Sequence, residues 1–331
     1  MKHAGKVCVC ALALLMVCGA LYAGGSGESA GGKKVINVAS IMAAGTPAHL
    51  GMEKFKAEFE KTTNGRFEVL IHPGSAMGDE QQTFEMLEDG SVEIGVLGTL
   101  DISVNYPKYF SMEVPYIFKD VNQMWKYWAG PGKALSDMIE KERGVRTTGV
   151  ILRGARFLTA NKPIRNMAEL KGIKMRVPAQ QIMHDFWTAF GAIPTSIAFS
   201  EVYMALKTGV VEAQENPPES IDAMKFYEVQ KYLMGTRHIF ACNRVLVSMK
   251  WYNTLPAADK SAFDAAVKTA LDYSNELTKN GDDELIKKLI GYGMTYIEID
   301  TSDFIKTAQG VIENYAKKEW APGLYDQLKG L

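Results

Sequence analysis

The chain has 331 residues, beyond the ~250–300 at which a single hydrophobic core usually stops growing, so two lobes are expected. Apolar residues make up 47% and charged residues 23%, close to the globular average, which excludes disordered, collagenous and disulfide-stapled classes. Lys and Arg total 37 against 38 Asp and Glu, a formal charge of −1 with no basic run, and nucleic acid is therefore not an expected partner.

Lys2 and Lys6 precede an almost wholly apolar run from Val7 to Val17, and small residues follow at Gly19, Ala20 and Ala23. This is the layout of a secretory signal over residues 1–23, and the run is short of the roughly 20 apolar residues a transmembrane helix needs. Cys18 closes the run as in bacterial lipoprotein signals, although Val17 matches poorly the small residue that usually precedes such a cysteine. Lipid anchoring through Cys18 and simple cleavage near Ala20 or Ala23 both fit, and both place the protein in the periplasm. Residues 24–33 read as a flexible linker by composition. Cys8, Cys10 and Cys18 fall within the signal, so Cys242 alone remains in the mature chain and reads as a small buried apolar residue.

The mature chain opens on Val35–Ile41, a β-branched run that reads as a buried strand. Thr46 and Pro47 supply an N-cap and a first-turn proline, and Met52, Phe55 and Phe59 recur at helical spacing until Asn64-Gly65. Phe67–His72 reads as a second strand, parallel to the first across a right-handed crossover. Asp79 with Gln82 makes a capping box for the next helix, and Val92–Leu97 is a third strand. Further on, the pattern predicts a helix over 121–142, strands over 145–152 and 174–177, helices over 180–190 and 200–207, and strands over 210–214 and 244–249. A long helix from Ala257, a strand over 294–299 and a helix over 301–318 complete an α/β alternation. No Gly/Pro-rich linker divides it, so the chain is expected to cross between lobes more than once, making a hinge with a cleft at the domain interface.

Catalytic signatures are scarce: GxSxG, HExxH, Walker A and dinucleotide fingerprints are missing, and His49, His72, His184 and His238 have no metal-ligand spacing. Glu212, Glu215 and Glu219 read as capping or solvated carboxylates. What remains is a pair of arginines in apolar company, Arg176 in GIKMRVP and Arg156 in GARFLTANKPI, each costly to bury unless paired. Pairing with an acid of the protein is the ordinary reading of a strand arginine.

The stretches KGIKMRVP, FGAIPTSIAFSEVYMALKTGVVEAQENP, KFYEVQKYLMGTRH and PGSAMGDEQQTFEMLEDGSVEIGV together resemble the substrate-binding proteins of tripartite ATP-independent periplasmic (TRAP) transporters. The resemblance covers essentially the whole mature chain. It implies an α/β, two-lobed periplasmic solute-binding fold with a hinge, a ligand cleft between the lobes and a long C-terminal helix spanning both. Residues 34–153 with 242–281 would form lobe I, and 154–241 with 282–331 lobe II. It implies Arg176 as the carboxylate-binding arginine, Arg156 as a second arginine nearby, Asn216 of QENP as an amide donor and Phe199 as an aromatic lining the pocket. Ser200 and Glu201 read instead as the start of the next helix. The implied partners are a small-molecule carboxylate, the membrane subunits of a TRAP permease and an accessory periplasmic protein. QENP differs from the EW motif of metal-assisted members, so neither metal nor cofactor is expected.

Where sialic-acid binders of that family carry polar or acidic residues, this chain has Ile41-Met42-Ala43 and Leu97-Gly98. Those positions end strands, where open α/β folds place ligands. Trp187 adds apolar surface, with core packing beside Phe186 and Phe190 as its other reading. A polyhydroxylated acid would leave polar groups unpaired against such a wall, so the expectation is a carboxylate with an apolar body. The competing classes are a receptor repurposed for signalling and an extracytoplasmic enzyme on the same scaffold, the latter lacking any nucleophile or base with a partner.

Overall fold

The computed structural model describes residues 32–279 and 281–331. The signal, Cys18 and most of the linker lie outside the described residues. Eleven strands form two sheets among the described residues. The first holds β1 (Lys34–Ser40), β2 (Phe67–His72), β3 (Ile94–Leu97), β4 (Val145–Ala155) and β10 (Phe240–Ser248), in the order β2-β1-β3-β10-β4. The second holds β5 (Phe157–Ala160), β6 (Lys174–Val177), β7 (Ile193–Ser196), β8 (Ala213–Asn216), β9 (Tyr232–Met234) and β11 (Thr295–Ile297), in the order β11-β9-β5-β8-β6-β7.

In the first sheet β1 pairs in parallel with both β2 and β3, as a β-α-β unit with helix Pro47–Thr62 requires. Thr46 caps that helix by accepting from the His49 amide at 3.3 Å. Its buried face puts Phe55 and Phe59 against Phe263 of helix Ala257–Lys279, with ring centroids 5.5 and 6.1 Å apart. The Asp79–Gln82 capping box forms in both directions, at 2.9 and 3.0 Å. Both recognised starts are places where the cap chemistry is local, so no distant contact was needed to read them.

The two long antiparallel strands, β4 and β10, carry the chain between sheets. β4 runs to Ala155, and after Arg156 the chain enters the second sheet as β5; it returns through Gly235–Ile239 into β10. Gly154 sits at φ +90° just before the crossing, and the adjoining Ala155 amide donates to Asp282 Oδ2 at 3.1 Å. β4 is an edge strand, and Asn275 of helix Ala257–Lys279 covers it by bonding Leu152 N at 2.7 Å and Val150 O at 3.2 Å. Helix Ala257–Lys279 lies along the first lobe, and helix Gly281–Gly291 carries the chain onto helix Pro218–Ala223 of the second. Near the end the chain turns back, the Ala321 amide donating to Lys108 O at 2.9 Å and Lys126 Nζ reaching Leu331 O at 2.6 Å.

Several elements differ from the sequence reading. The helix expected over 121–142 is two, Val121–Ala129 and Pro131–Arg143, because Pro131 can begin a helix but not continue one. Strands β5, β7 and β9 have only three or four residues each, too short to show a period. The cap expected at Ser200 is absent: a short 3-10 turn, Phe199–Glu201, leads into helix Val202–Lys207 with no side-chain cap bond. Among the described residues no helix is long and apolar enough to cross a membrane.

Candidate functional site

Four arginines are buried where the lobes meet: Arg153, Arg156, Arg176 and Arg244. Each charge taken out of water needs compensation, so the question is which of them has it. Arg244, on β10, is wholly buried against Asp101 and donates through Nε to Gly98 O at 2.9 Å. Arg153, near the end of β4, donates to Glu219 Oε1 at 2.8 Å and Ser220 Oγ at 2.6 Å. Arg156, in the crossing itself, grips Glu215 of β8 through its Nε and through Nη2, the latter 2.7 Å from Oε1. Glu215 also meets His238 Nε2 at 2.9 Å, and His238 in turn meets Thr236 Oγ1 at 2.9 Å.

Burial alone would raise the Glu215 carboxyl, but Arg156 and His238 outweigh it and hold the group down at about 2. Burial lowers His238, against the pull of Glu215. The two crossing segments are thereby tied through one carboxylate. Of the capping or solvated roles expected of Glu215 and Glu219, the solvated one is thereby corrected, while Glu219 does lie in the first turn of helix Pro218–Ala223. Both are sealed inside, where the arginines that pair with them lie 59 and 66 residues away in sequence and leave no local pattern.

Arg176 is different. It is 3% exposed, and Nε and Nη2 both donate to the single carbonyl of Ile197, at 2.9 and 2.7 Å. Among the described residues no carboxylate pairs with it. Both N–H groups of Nη1 remain free. Burial pulls its guanidinium down to about 10, opposed chiefly by the field of Glu215. A buried guanidinium with an unused edge keeps the planar donor fork that carboxylates pair with.

Asn216 ends β8 beside this pair; it is buried, and its Nδ2 donates to Gln214 Oε1 at 2.7 Å. So Arg156, Arg176 and Asn216 lie near one another in the fold. The remaining residues of the sequence reading are placed otherwise. Phe199 is half-buried and packs edge-on to Phe226, 6.4 Å between centroids, in the core of the second lobe. Trp187 is a core residue, edge-on to Phe190 at 5.5 Å and His238 at 5.4 Å. Ile41, Met42 and Leu97 are likewise buried in the first lobe's core, drawn in by the helices that flank the ends of β1 and β3. The apolar wall on which an apolar-bodied ligand was expected is therefore turned inward.

Gly98 contributes space instead of a side chain. A Cβ there would stand 3.0 Å from Glu80 Oε1 and 3.2 Å from Oε2, so the Glu80 carboxylate occupies the room that a residue at 98 would take. Glu80 accepts from Leu100 N at 2.8 Å, and burial, with help from nearby Asp101 and Glu113, raises its carboxyl to about 7. Thr99 donates to Glu113 Oε2 at 2.8 Å and receives Gln180 Nε2, from beyond β6, at 3.5 Å. These first-lobe polar groups escaped sequence reasoning, since a capping-box helix start and a Gly-Thr step carry no chemical signature of a site.

Two lobes tied by crossing strands, with an unpaired guanidinium on one wall and carboxylates on the other, define a hinged receptor for a small anion. The chain belongs to bacterial extracellular solute-binding protein family 7, whose family model matches residues 38–319. It is similar to the C4-dicarboxylate-binding periplasmic protein DctP of Rhodobacter capsulatus, 31% identical over 79% of each chain. Its fold is similar to that of a TRAP periplasmic solute-binding protein from Roseobacter denitrificans with bound L-galactonate, with TM-score 0.83 and 29% identity over 89% of this chain and 97% of that one. A relative from Haemophilus influenzae with bound L-gulonate gives TM-score 0.84 and 28% identity over 89% of this chain and 99% of that one.

Proposed function

We propose that the protein is the extracytoplasmic receptor of a TRAP transporter, capturing a small organic acid by its carboxylate and delivering it to the membrane permease. The observation that carries this reading is Arg176: a buried arginine whose side-chain bonds among the described residues all go to one carbonyl, while the three other arginines buried where the lobes meet each hold a carboxylate. The acid's carboxylate completes Arg176 through Nη1, while Arg156 keeps Glu215 and acts on the ligand by its field. The ligands named for the similar proteins, a C4-dicarboxylate, L-galactonate and L-gulonate, support an organic acid here. Closure of the lobes then reports occupancy, because a ligand touching both walls stabilises the closed form.

The reading carries its location with it: export to the periplasm, with Cys18 as the candidate lipid anchor and an accessory periplasmic protein as a candidate further partner. Mass measurement of the mature chain from cells decides the anchor, since lipidation would leave Cys18 as an acylated first residue. Calorimetric titration with a panel of dicarboxylates, aldonates and uronates tests the function. At least one acid should bind the wild type and fail to bind Arg176→Ala; a panel that binds both proteins alike contradicts the reading.

A further inference from the structure

The charges on the two walls are out of balance in opposite senses. Around the crossing and the second lobe, Arg153 and Arg156 each hold a carboxylate and Arg176 holds none. The first-lobe wall runs the other way: Glu80, Asp101 and Glu113 gather around a single arginine, Arg244, which is bonded to Asp101. That wall also lacks a hydrogen-bond donor. Gln180, 3% exposed, reaches it from the second lobe, with Nε2 3.5 Å from Thr99 Oγ1, and Thr99 in turn donates to Glu113 Oε2 at 2.8 Å. The other end of the amide, Gln180 Oε1, is sealed from solvent with no donor, a cost that native structures rarely leave standing. A proton on the wall answers both shortages, because it removes one negative charge and turns an acceptor-only carboxylate into a donor.

Glu80 is the carboxylate placed to take it. Asp101 holds Arg244 and Glu113 accepts from Thr99, whereas Glu80, among the described residues, has no side-chain partner and accepts only from Leu100 N, at 2.8 Å. It fills the room left by the missing side chain of Gly98, and it keeps a partial exposure through which a proton can arrive from water. Burial with the neighbouring Asp101 and Glu113 favours its protonated form, while Arg244 and, from across the cleft, Arg176 oppose it, and the balance falls at about 7. We propose that Glu80 takes up a proton from solvent when the acid binds, so that the receptor captures its ligand as an anion together with one proton. This rests on the ligand carboxylate being held at Arg176. A carboxylate seated there cancels the positive field that opposes protonation of Glu80, and closure removes the water that screens Glu80 from Asp101 and Glu113. By reciprocity, a proton on Glu80 tightens the acid by the same factor.

The test is calorimetry with L-galactonate, L-gulonate, D-glucuronate and succinate at pH 6, 7 and 8.5, in pairs of buffers of different ionisation enthalpy, which counts the protons taken up. The tightest of these acids should bring almost no proton onto wild type at pH 6, where Glu80 is already protonated, and close to one at pH 8.5. Its affinity should fall about tenfold for each pH unit above about 7. Glu80→Gln, which keeps the shape of the neutral acid, should take up no proton and bind with an affinity that no longer varies over this range, whereas Glu113→Gln should keep the uptake. The wild-type count stands whether or not either variant folds. Binding to wild type without proton uptake at pH 8.5, or uptake that persists in Glu80→Gln, overturns the inference and leaves the receptor reading intact. Failure of all four acids to bind wild type, or binding that survives Arg176→Ala unchanged, overturns both.

Discussion

The two walls of the cleft treat a buried arginine in opposite ways. In the first lobe, Arg244 is matched by Asp101, and Glu80 and Glu113 add further carboxylates nearby. In the second, Arg176 is held by a carbonyl that steadies its position without neutralising its charge. Both sit in strands among apolar neighbours, Arg176 in the short KMRV strand and Arg244 in NRVLV of the long β10. A buried charge that the protein compensates belongs to the fold, whereas a charge without a partner carries a cost that something else must offset, which is the ground for the role proposed for Arg176.

Substitutions should separate those roles. Arg244→Ala strands Asp101 and should cost about 3–5 kcal/mol of stability, the usual loss on halving a buried pair, read as a lowered urea midpoint. Arg156→Ala should behave similarly, because it removes the chief partner of Glu215, and should weaken ligand affinity less than it weakens the fold. Arg176→Ala should do the reverse: a loss of about 2–5 kcal/mol in acid binding, with a smaller change in the urea midpoint. Arg176→Lys should recover only part of the binding, since an ammonium lacks the planar fork. If Arg176→Ala unfolds the protein as readily as Arg244→Ala does, the distinction between the walls fails.

How much of this was legible beforehand follows from the range of the interactions. Helix starts at Thr46 and Asp79 and the strands of the first lobe were readable because caps and periodicity are local. Arg156, Arg176 and Asn216 were singled out as ligand-binding only through a resemblance extending over essentially the whole mature chain, and the fold places them near one another. Whether an arginine was already paired could not be read, because Asp101 lies 143 residues from Arg244 and Glu215 lies 59 from Arg156. The inward turn of Ile41 and Leu97 was hidden likewise, since strand-end placement does not say which way a side chain points, and Trp187 takes the core-packing side of its two readings, on a helix beside Phe190. Glu80 was overlooked as part of a helix start, although Gly98, seen as a missing acid, is what admits it.

Glu80 gives the smallest of the expected effects and probes the first-lobe wall. Its carboxyl is raised from 4.5 to about 7, so the folded state favours the protonated form. That contribution is complete below about pH 4.5 and is lost as pH rises through about 7. Glu80→Gln cannot ionise, so its stability relative to wild type should improve between pH 5 and pH 8, by about 1–2 kcal/mol once solvent screening of the half-buried group is allowed for. Thermal unfolding at the two pH values checks it, and a pH-independent difference would place the Glu80 carboxylate in solvent.

The most direct measurement is a crystal structure of the protein with an acid bound, either carried through purification or added. The ligand carboxylate should lie within hydrogen-bond reach of Arg176 Nη1, with Arg156 still on Glu215 and Arg176 still on the Ile197 carbonyl. A carboxylate seated on Arg156 with Glu215 displaced, or one bound away from Arg176 altogether, would contradict the assignment of the uncompensated charge to the ligand.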